Sequence, residues 1–189
     1  MDIFAHALWT GALYKGVNKK RGEPFNVWLA VFWGIFPDLF AFAPLFLWFI
    51  VNLLFGNISF SDLPRPHEIE PPMQGKFSMF QLTRNLYNIS HSAIIFTLIF
   101  CLVFVLFRKP IWEMGGWLLH IFIDIPTHSA KFYPTPFLWP LSHFHISGIS
   151  WTQPWFMMIN YSAIVIVYIL LHKKKIVGAH NSNKKINTS

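Results

Sequence analysis

The sequence predicts an all-α membrane protein, a polytopic helical bundle of about four or five helices whose second helix is kinked or broken. Of its 189 residues, 54% are hydrophobic and only 12% are charged, and its mean hydropathy is +0.43. Soluble domains are seldom so apolar, and a chain of this length has room for one folded unit. We therefore expect an integral membrane domain over 1–175 and a disordered basic tail over 176–189.

Five apolar segments can supply the helices, since a crossing helix needs about 20 residues. Pro37 lies inside the second segment, where a missing N–H should kink or break the helix. The polar stretch 56–88 is rich in proline and is expected to be irregular. The first segment lacks the basic start of a cleavable signal peptide and is expected to be retained. The predicted helices cover 3–14, 24–55, 90–107, 111–125 and 154–171.

The lysine and arginine residues predict the orientation, because short loops that carry them stay in the cytoplasm. Most of them flank the predicted helices on one side. We expect a protein of the inner cell membrane whose net charge of +7 reflects contact with anionic lipids. No basic recognition helix is visible, so no nucleic-acid partner is expected, and the sequence does not define an oligomeric state.

Ionisable residues inside the apolar segments predict a functional site, because an Asp at the centre of a spanning helix costs about 2.5–3.5 kcal/mol. His120 and Asp124 are four residues apart and share one helix face. Depth follows from the number of residues between each side chain and the cytoplasmic end of its segment, at a helical rise of about 1.5 Å per residue. By this count His6, Asp38 and His91 lie at the depth of His120 and Asp124, in the outer half of the membrane. These five residues are expected to form one site that faces the non-cytoplasmic side.

Metal binding is the chemistry that this set favours. Three imidazoles and two carboxylates suit zinc or another first-row divalent ion, and the ion would neutralise the buried carboxylates. A thiolate cluster is excluded because Cys101 is the only cysteine. The predicted metal ligands are His6, Asp38, His91, His120 and Asp124.

Three histidines follow Asp124 in the next loop. His128, His143 and His145 are candidates for a second metal site or for substrate binding, and either Asp38 or His143 for the general base. Each polar residue also has a purely structural interpretation. Asp38 can cap a half-helix, and a buried histidine can bond to a backbone carbonyl.

Four short motifs, in this order and spacing, resemble those of the LexA-regulated, predicted membrane-bound metal-dependent hydrolases. They are MDIFAHA at 1–7 with Gly11, GIFPD at 34–38, SHS at 90–92, and GWLLHIFIDIPTH at 116–128. The resemblance implies a metal-activated water that attacks an ester, most plausibly a phosphoester. It also implies that the five residues named as metal ligands lie in the metal-site motifs.

The His-x3-Asp element of 120–124 is also similar, more distantly, to that of zinc-dependent phospholipase C and related nucleases. The predicted function is a membrane-bound hydrolase acting on a phosphoester or lipid-like ester, with membrane lipids and a small-molecule or lipid ester as its partners. The alternatives are a metal or proton transporter that uses the same residues, a bis-histidine haem protein, and a purely structural protein.

Overall fold

The computed structural model describes residues 1–56, 79–130 and 133–173 in full, and residues 78 and 174–186 as backbone. The described residues form α-helices and one short 3-10 turn at Trp112–Met114, with no strand among them, which confirms the all-α class. The helices are α1 (Ile3–Asn18), α2 (Val27–Leu54), α3 (Ser78–Ser90), α4 (Ala93–Phe107), α5 (Gly115–Thr127) and α6 (Pro154–Ile186).

Short polar side chains begin three of the helices. Asp2, Asn26 and Ser92 precede α1, α2 and α4, and each accepts hydrogen bonds from backbone N–H groups of the first helical turn. Such caps satisfy donors that have no partner within the helix. The Asn26 cap explains why α2 begins at Val27, three residues after the predicted start.

The second helix is continuous through both of its prolines, Pro37 and Pro44, so of the predicted kink or break at Pro37 the break does not occur. Each proline removes one backbone hydrogen bond, but a helix can continue where packed neighbours hold it. Helices α1, α3 and α5 all pack against α2. The Ser90 hydroxyl also donates a hydrogen bond to the Pro37 carbonyl, at 3.1 Å.

The break in the fold lies instead between α3 and α4. The segments Met79–Ser90 and Ala93–Phe107 are bent by 62°. Part of the stretch predicted to be irregular is therefore the helix α3, and 57–77 lies outside the described residues. Phe80, Thr83 and Tyr87 are buried at helical spacing, a pattern that the polar composition of the stretch concealed.

Two helical segments are long and apolar enough to cross a membrane: α2, and Pro154–Lys173 within α6. There are three if the bent pair of α3 and α4 is one span. Only 22% of the most apolar stretch of α2 is buried, and only 11% of that of Pro154–Lys173. Low burial of this kind is expected for side chains that face lipid. The described residues thus support a membrane protein, with fewer candidate spans than the four or five predicted.

The end of α6 differs from the expected tail. Its backbone is helical to Ile186, whereas the sequence predicts disorder over 176–189. No proline follows Pro154 to end the helix. Residues 187–189 lie outside the described part of the chain.

Two glycines, Gly116 on α5 and Gly34 on α2, allow α1, α2 and α5 to approach one another closely. A Cβ atom on Gly116 would lie 2.2 Å from the Ala30 carbonyl oxygen, and one on Gly34 would lie 2.4 Å from the Thr10 hydroxyl oxygen. No larger side chain fits at either position without a shift of its surroundings. This close packing holds α5, with His120 and Asp124, against the part of α2 that carries Asp38.

Replacing Gly116 by Ala should therefore lower the free energy of unfolding by about 2 kcal/mol or more, because the added methyl group meets backbone atoms that cannot rotate away. Thermal unfolding in detergent measures the effect. Gly16→Ala is the matched control, since its Cβ would have its nearest neighbour at an ordinary 3.8 Å. Equal loss of stability in both variants would contradict the close packing of α5 on α2.

Candidate metal centre

Four ionisable residues from three parts of the chain converge in the interior. Asp38 lies on α2, His91 lies in the break between α3 and α4, and His120 and Asp124 lie on α5. One ligand atom from each lies within 4.8 Å of all the others. The side chains of the last three are fully buried, and 15% of that of Asp38 is exposed. We call these residues the four-residue group.

Five of the six distances within the four-residue group are close to those around one tetrahedral ion. His120 Nε2 lies 3.1 Å from His91 Nε2 and 3.1 Å from Asp124 Oδ2. His91 Nε2 lies 3.5 Å from Asp124 Oδ2 and 3.6 Å from Asp38 Oδ1. The distance from Asp38 Oδ1 to His120 Nε2 is 3.7 Å. Four ligands at about 2.0–2.1 Å from a tetrahedral zinc ion are separated by about 3.3–3.4 Å. The side chains are thus placed to hold an ion with little rearrangement.

The hydrogen bonds of the two imidazoles turn their Nε2 atoms toward each other. His120 Nδ1 lies 2.7 Å from the Gly34 carbonyl oxygen, and His91 Nδ1 lies 2.9 Å from Ser90 Oγ and 3.2 Å from the Tyr87 carbonyl oxygen. A carbonyl only accepts, and the Ser90 hydroxyl donates to Pro37, so each Nδ1 carries a proton. The two Nε2 atoms, 3.1 Å apart, must then share a cation, either a proton or a metal ion. Metal-binding histidines are typically oriented in this way.

Buried atoms without hydrogen-bond partners gather at the same place. Among the described residues these include Asp124 Oδ2 and both ring nitrogens of His6. Asp124 Oδ2 lies close to two imidazoles, but not in the geometry of a hydrogen bond. A buried polar atom left unpaired costs about 1–3 kcal/mol. A cation within the four-residue group would satisfy the carboxylate oxygen.

His6 belongs to the site but lies outside the four-residue group. Its ring stacks on that of His120 with 3.6 Å between the centroids. Its Nε2 lies 3.0 Å from Asp124 Oδ1, the oxygen opposite to the one that joins the group. The two oxygens of Asp124 therefore face different sets of side chains, which we call the Oδ2 side and the Oδ1 side.

His128 is also brought to the Oδ1 side. Its Nε2 lies 3.4 Å from Asp124 Oδ1 and 2.8 Å from the Met1 backbone nitrogen, which itself contacts Asp124 Oδ1. Its Nδ1 donates to the Tyr133 carbonyl at 2.8 Å. Tyr133 has a left-handed backbone, with φ of 42°, that places this carbonyl. Burial raises the pKa of the Tyr133 phenol above its usual 10, so the hydroxyl stays protonated at neutral pH.

The structure does not bring His143 or His145 to the four-residue group. Both side chains are exposed, and His145 Nδ1 lies 3.2 Å from the His143 carbonyl. The loop that carries them is fixed where it returns to the end of α5, with Gly148 N bonded to the His128 carbonyl at 2.8 Å. The prediction of His143 as the base thus lacks structural support.

Tyr87 is a site residue that the sequence interpretation missed. Its ring stacks on that of His91 with 3.7 Å between the centroids, and its hydroxyl donates to the Tyr133 carbonyl at 2.9 Å. It therefore connects the His91 and His128 sides of the centre. A signal was present, because Tyr87 precedes His91 by four residues and shares its helix face.

Comparison of the chain with family models, with curated proteins and with solved structures finds no match in any of the three.

Proposed function

We propose that this protein is a membrane-bound, metal-dependent hydrolase that acts on a phosphoester or a lipid-like ester. The observation that carries the proposal is the four-residue group, whose ligand atoms all lie within 4.8 Å of one another and whose two imidazole Nε2 atoms lie 3.1 Å apart. The LexA-regulated hydrolase family remains part of the proposal, because the motifs that resemble it contain these residues.

Zinc is the ion that suits the four-residue group best. Two imidazole nitrogens and two carboxylate oxygens in a tetrahedral arrangement favour zinc, whereas magnesium prefers six oxygen ligands. When bound, a divalent ion of this kind lowers the pKa of a water molecule from 15.7 to about 7 and polarises the ester oxygen. The protein holds the ion in place and moves the protons.

Asp38 is the proposed general base. It is the one member of the four-residue group with an exposed fraction, and water is proposed to enter beside it. In this mechanism His91, His120 and Asp124 would hold the ion, the fourth position would be left to water, and Asp38 would accept the proton of that water. His128 is proposed to protonate the leaving group in its imidazolium form, with one proton on Nδ1 toward the Tyr133 carbonyl and the other on Nε2 for the leaving group.

The proposed setting is the inner cell membrane, with α1 and α5 completing a bundle of four or five helices. The flanking lysines and arginines would then place the centre in the outer half of the membrane, facing the non-cytoplasmic side. Burial among apolar helices excludes bulk water, which strengthens the electrostatic interactions inside the site.

A metal transporter is the second candidate, and one observation favours it. His91 lies in a break between two helices, and transporters often build ion sites at breaks of this kind. The two candidates differ in what they require. A hydrolase turns over an ester at the bound ion, whereas a transporter releases the ion on the other side.

One experiment separates the candidates. We expect protein purified in detergent to contain zinc by mass spectrometry and to hydrolyse bis(4-nitrophenyl) phosphate. Chelation should abolish the hydrolysis, and added zinc should restore it. The same protein in liposomes, assayed with an internal zinc indicator, should show no zinc uptake. Uptake without hydrolysis would establish the transporter instead, and protein that binds no metal would overturn both.

A further inference from the structure

An apolar groove of about 780 Å³ lies between α1, α5 and α6. On α1 its lining recurs every three or four residues from Trp9 to Val17, and Met1 and Lys20 line it just beyond the two ends of the helix. The 16 residues of α1 are about 24 Å long at the helical rise of about 1.5 Å per residue, which is most of the hydrocarbon thickness of a bilayer, about 30 Å. The volume is in the range of sites that bind small molecules, about 300–1,000 Å³.

One end of the groove meets the metal centre. Met1 and Thr127 both line the groove, and the Met1 nitrogen contacts Asp124 Oδ1. Thr127 follows Asp124 by three residues on α5, nearly one helical turn further along. A molecule in the groove therefore has one end beside Met1 and Thr127, next to the metal centre, while the rest lies among apolar side chains.

A buried amide supplies the second observation. Asn160 lines the groove on α6 and is only 7% exposed. Its Oδ1 accepts a hydrogen bond from Trp9 Nε1 at 2.9 Å, and its Nδ2 has no partner among the described residues. An unpaired buried donor is costly, so a ligand with an oxygen acceptor at this depth would be favoured. Trp9 lies about 12 Å from Met1 along α1.

We propose that the groove binds one acyl chain of a glycerolipid phosphoester, whose phosphoryl group reaches the metal centre past Met1 and Thr127 and whose acyl carbonyl accepts a hydrogen bond from Asn160. This proposal rests on the proposed hydrolase and names its class of substrate. A hydrocarbon chain fits the apolar walls, and the carbonyl meets the unpaired Asn160 amide, the one such side-chain donor among the described residues that line the groove. A helix from a second copy is a poorer fit, since its own backbone uses its carbonyls.

Binding is tested separately from turnover. Leu13 lines the groove and is 46% exposed, and Leu13→Trp is designed to fill the groove with a larger side chain. The matched control is Val105→Trp on α4, where the side chain is 61% exposed and lies outside the groove. The probe is dioleoylphosphatidylglycerol, added to detergent-purified protein and followed by native mass spectrometry. We expect one retained lipid for the wild type and for Val105→Trp, and about tenfold less retention for Leu13→Trp.

Turnover then tests the substrate class with two chromogenic diesters, bis(4-nitrophenyl) phosphate and hexadecyl 4-nitrophenyl phosphate. The ratio of kcat/KM for the long-chain to the soluble diester should fall about tenfold in Leu13→Trp and stay unchanged in Val105→Trp. Asn160→Leu, which lacks the donor, should lower lipid retention in the same direction as Leu13→Trp.

The outcomes distinguish the two proposals. Equal lipid retention by Leu13→Trp and wild type would overturn the acyl-chain site, as would a wild-type dimer that Leu13→Trp converts to a monomer. Lipid retention that depends on Leu13, in a protein that hydrolyses neither diester, would support the groove as a lipid site and overturn the hydrolase.

Discussion

Replacing Asp124 by Asn is expected to abolish both metal binding and turnover. The carboxylate lies at the centre of the site, with Oδ2 in the four-residue group and Oδ1 facing His6 and His128. The amide keeps the size of the side chain but removes the negative charge that holds the ion. Even the loss of a residue that only hydrogen-bonds to a metal ligand lowers metal affinity or activity by about 10–100-fold. We therefore expect at least a 100-fold loss in metal affinity and in kcat/KM.

Metal content by mass spectrometry and hydrolysis of bis(4-nitrophenyl) phosphate measure this loss. Glu23→Gln is the control, because it makes the same chemical change at an exposed carboxylate outside the site. The melting temperature of each variant in detergent shows whether it is folded. A folded Asp124→Asn protein with full activity would end the case for a metal-dependent hydrolase.

Replacing His120 by Ala should have an effect of similar size. The ring contributes Nε2 to the four-residue group, and its Nδ1 is oriented by the Gly34 carbonyl at 2.7 Å. Its loss also removes the ring on which His6 stacks. We expect the bound ion to be lost, with at least a 100-fold fall in turnover. His172→Ala, at an exposed position on α6, is the matched control and should retain its ion.

His6→Ala decides which histidines hold the ion. Because His6 contacts only the Oδ1 side of Asp124, we expect this variant to retain one ion per chain. Loss of the ion from His6→Ala would show that all five predicted ligands are required. Two ions in the wild type, with one left in His6→Ala, would show that the Oδ1 side is a second metal site.

Much of the site could be predicted from local spacing. The spacing of His120 and Asp124 places both on one helix face whatever surrounds that helix, and both are buried in the structure. His91 and Asp38 were predicted because ionisable groups in apolar segments require a partner, and both meet His120. These predictions depended on helical periodicity and on the cost of burying charge.

The irregular parts of the chain were predicted less well. A kink or break was expected at Pro37, but the helix continues there and the break lies at His91, because a proline is tolerated where neighbouring helices hold the chain together. The helix α3 was missed, since its apolar residues are spaced along one face within a polar stretch. His143 is exposed on the loop that returns to the end of α5, and no local pattern reveals that exposure.

The sequence by itself determined that this chain is helical and apolar enough for a membrane, and that a few histidines and aspartates must find partners in its interior. Composition and helical spacing suffice for this, since they act over single turns. Only the tertiary structure decided which atoms meet. The division of Asp124 into an Oδ1 side and an Oδ2 side depends on contacts between distant parts of the chain, and so does the groove beside it. These contacts are set by how closely glycines such as Gly116 let the helices approach.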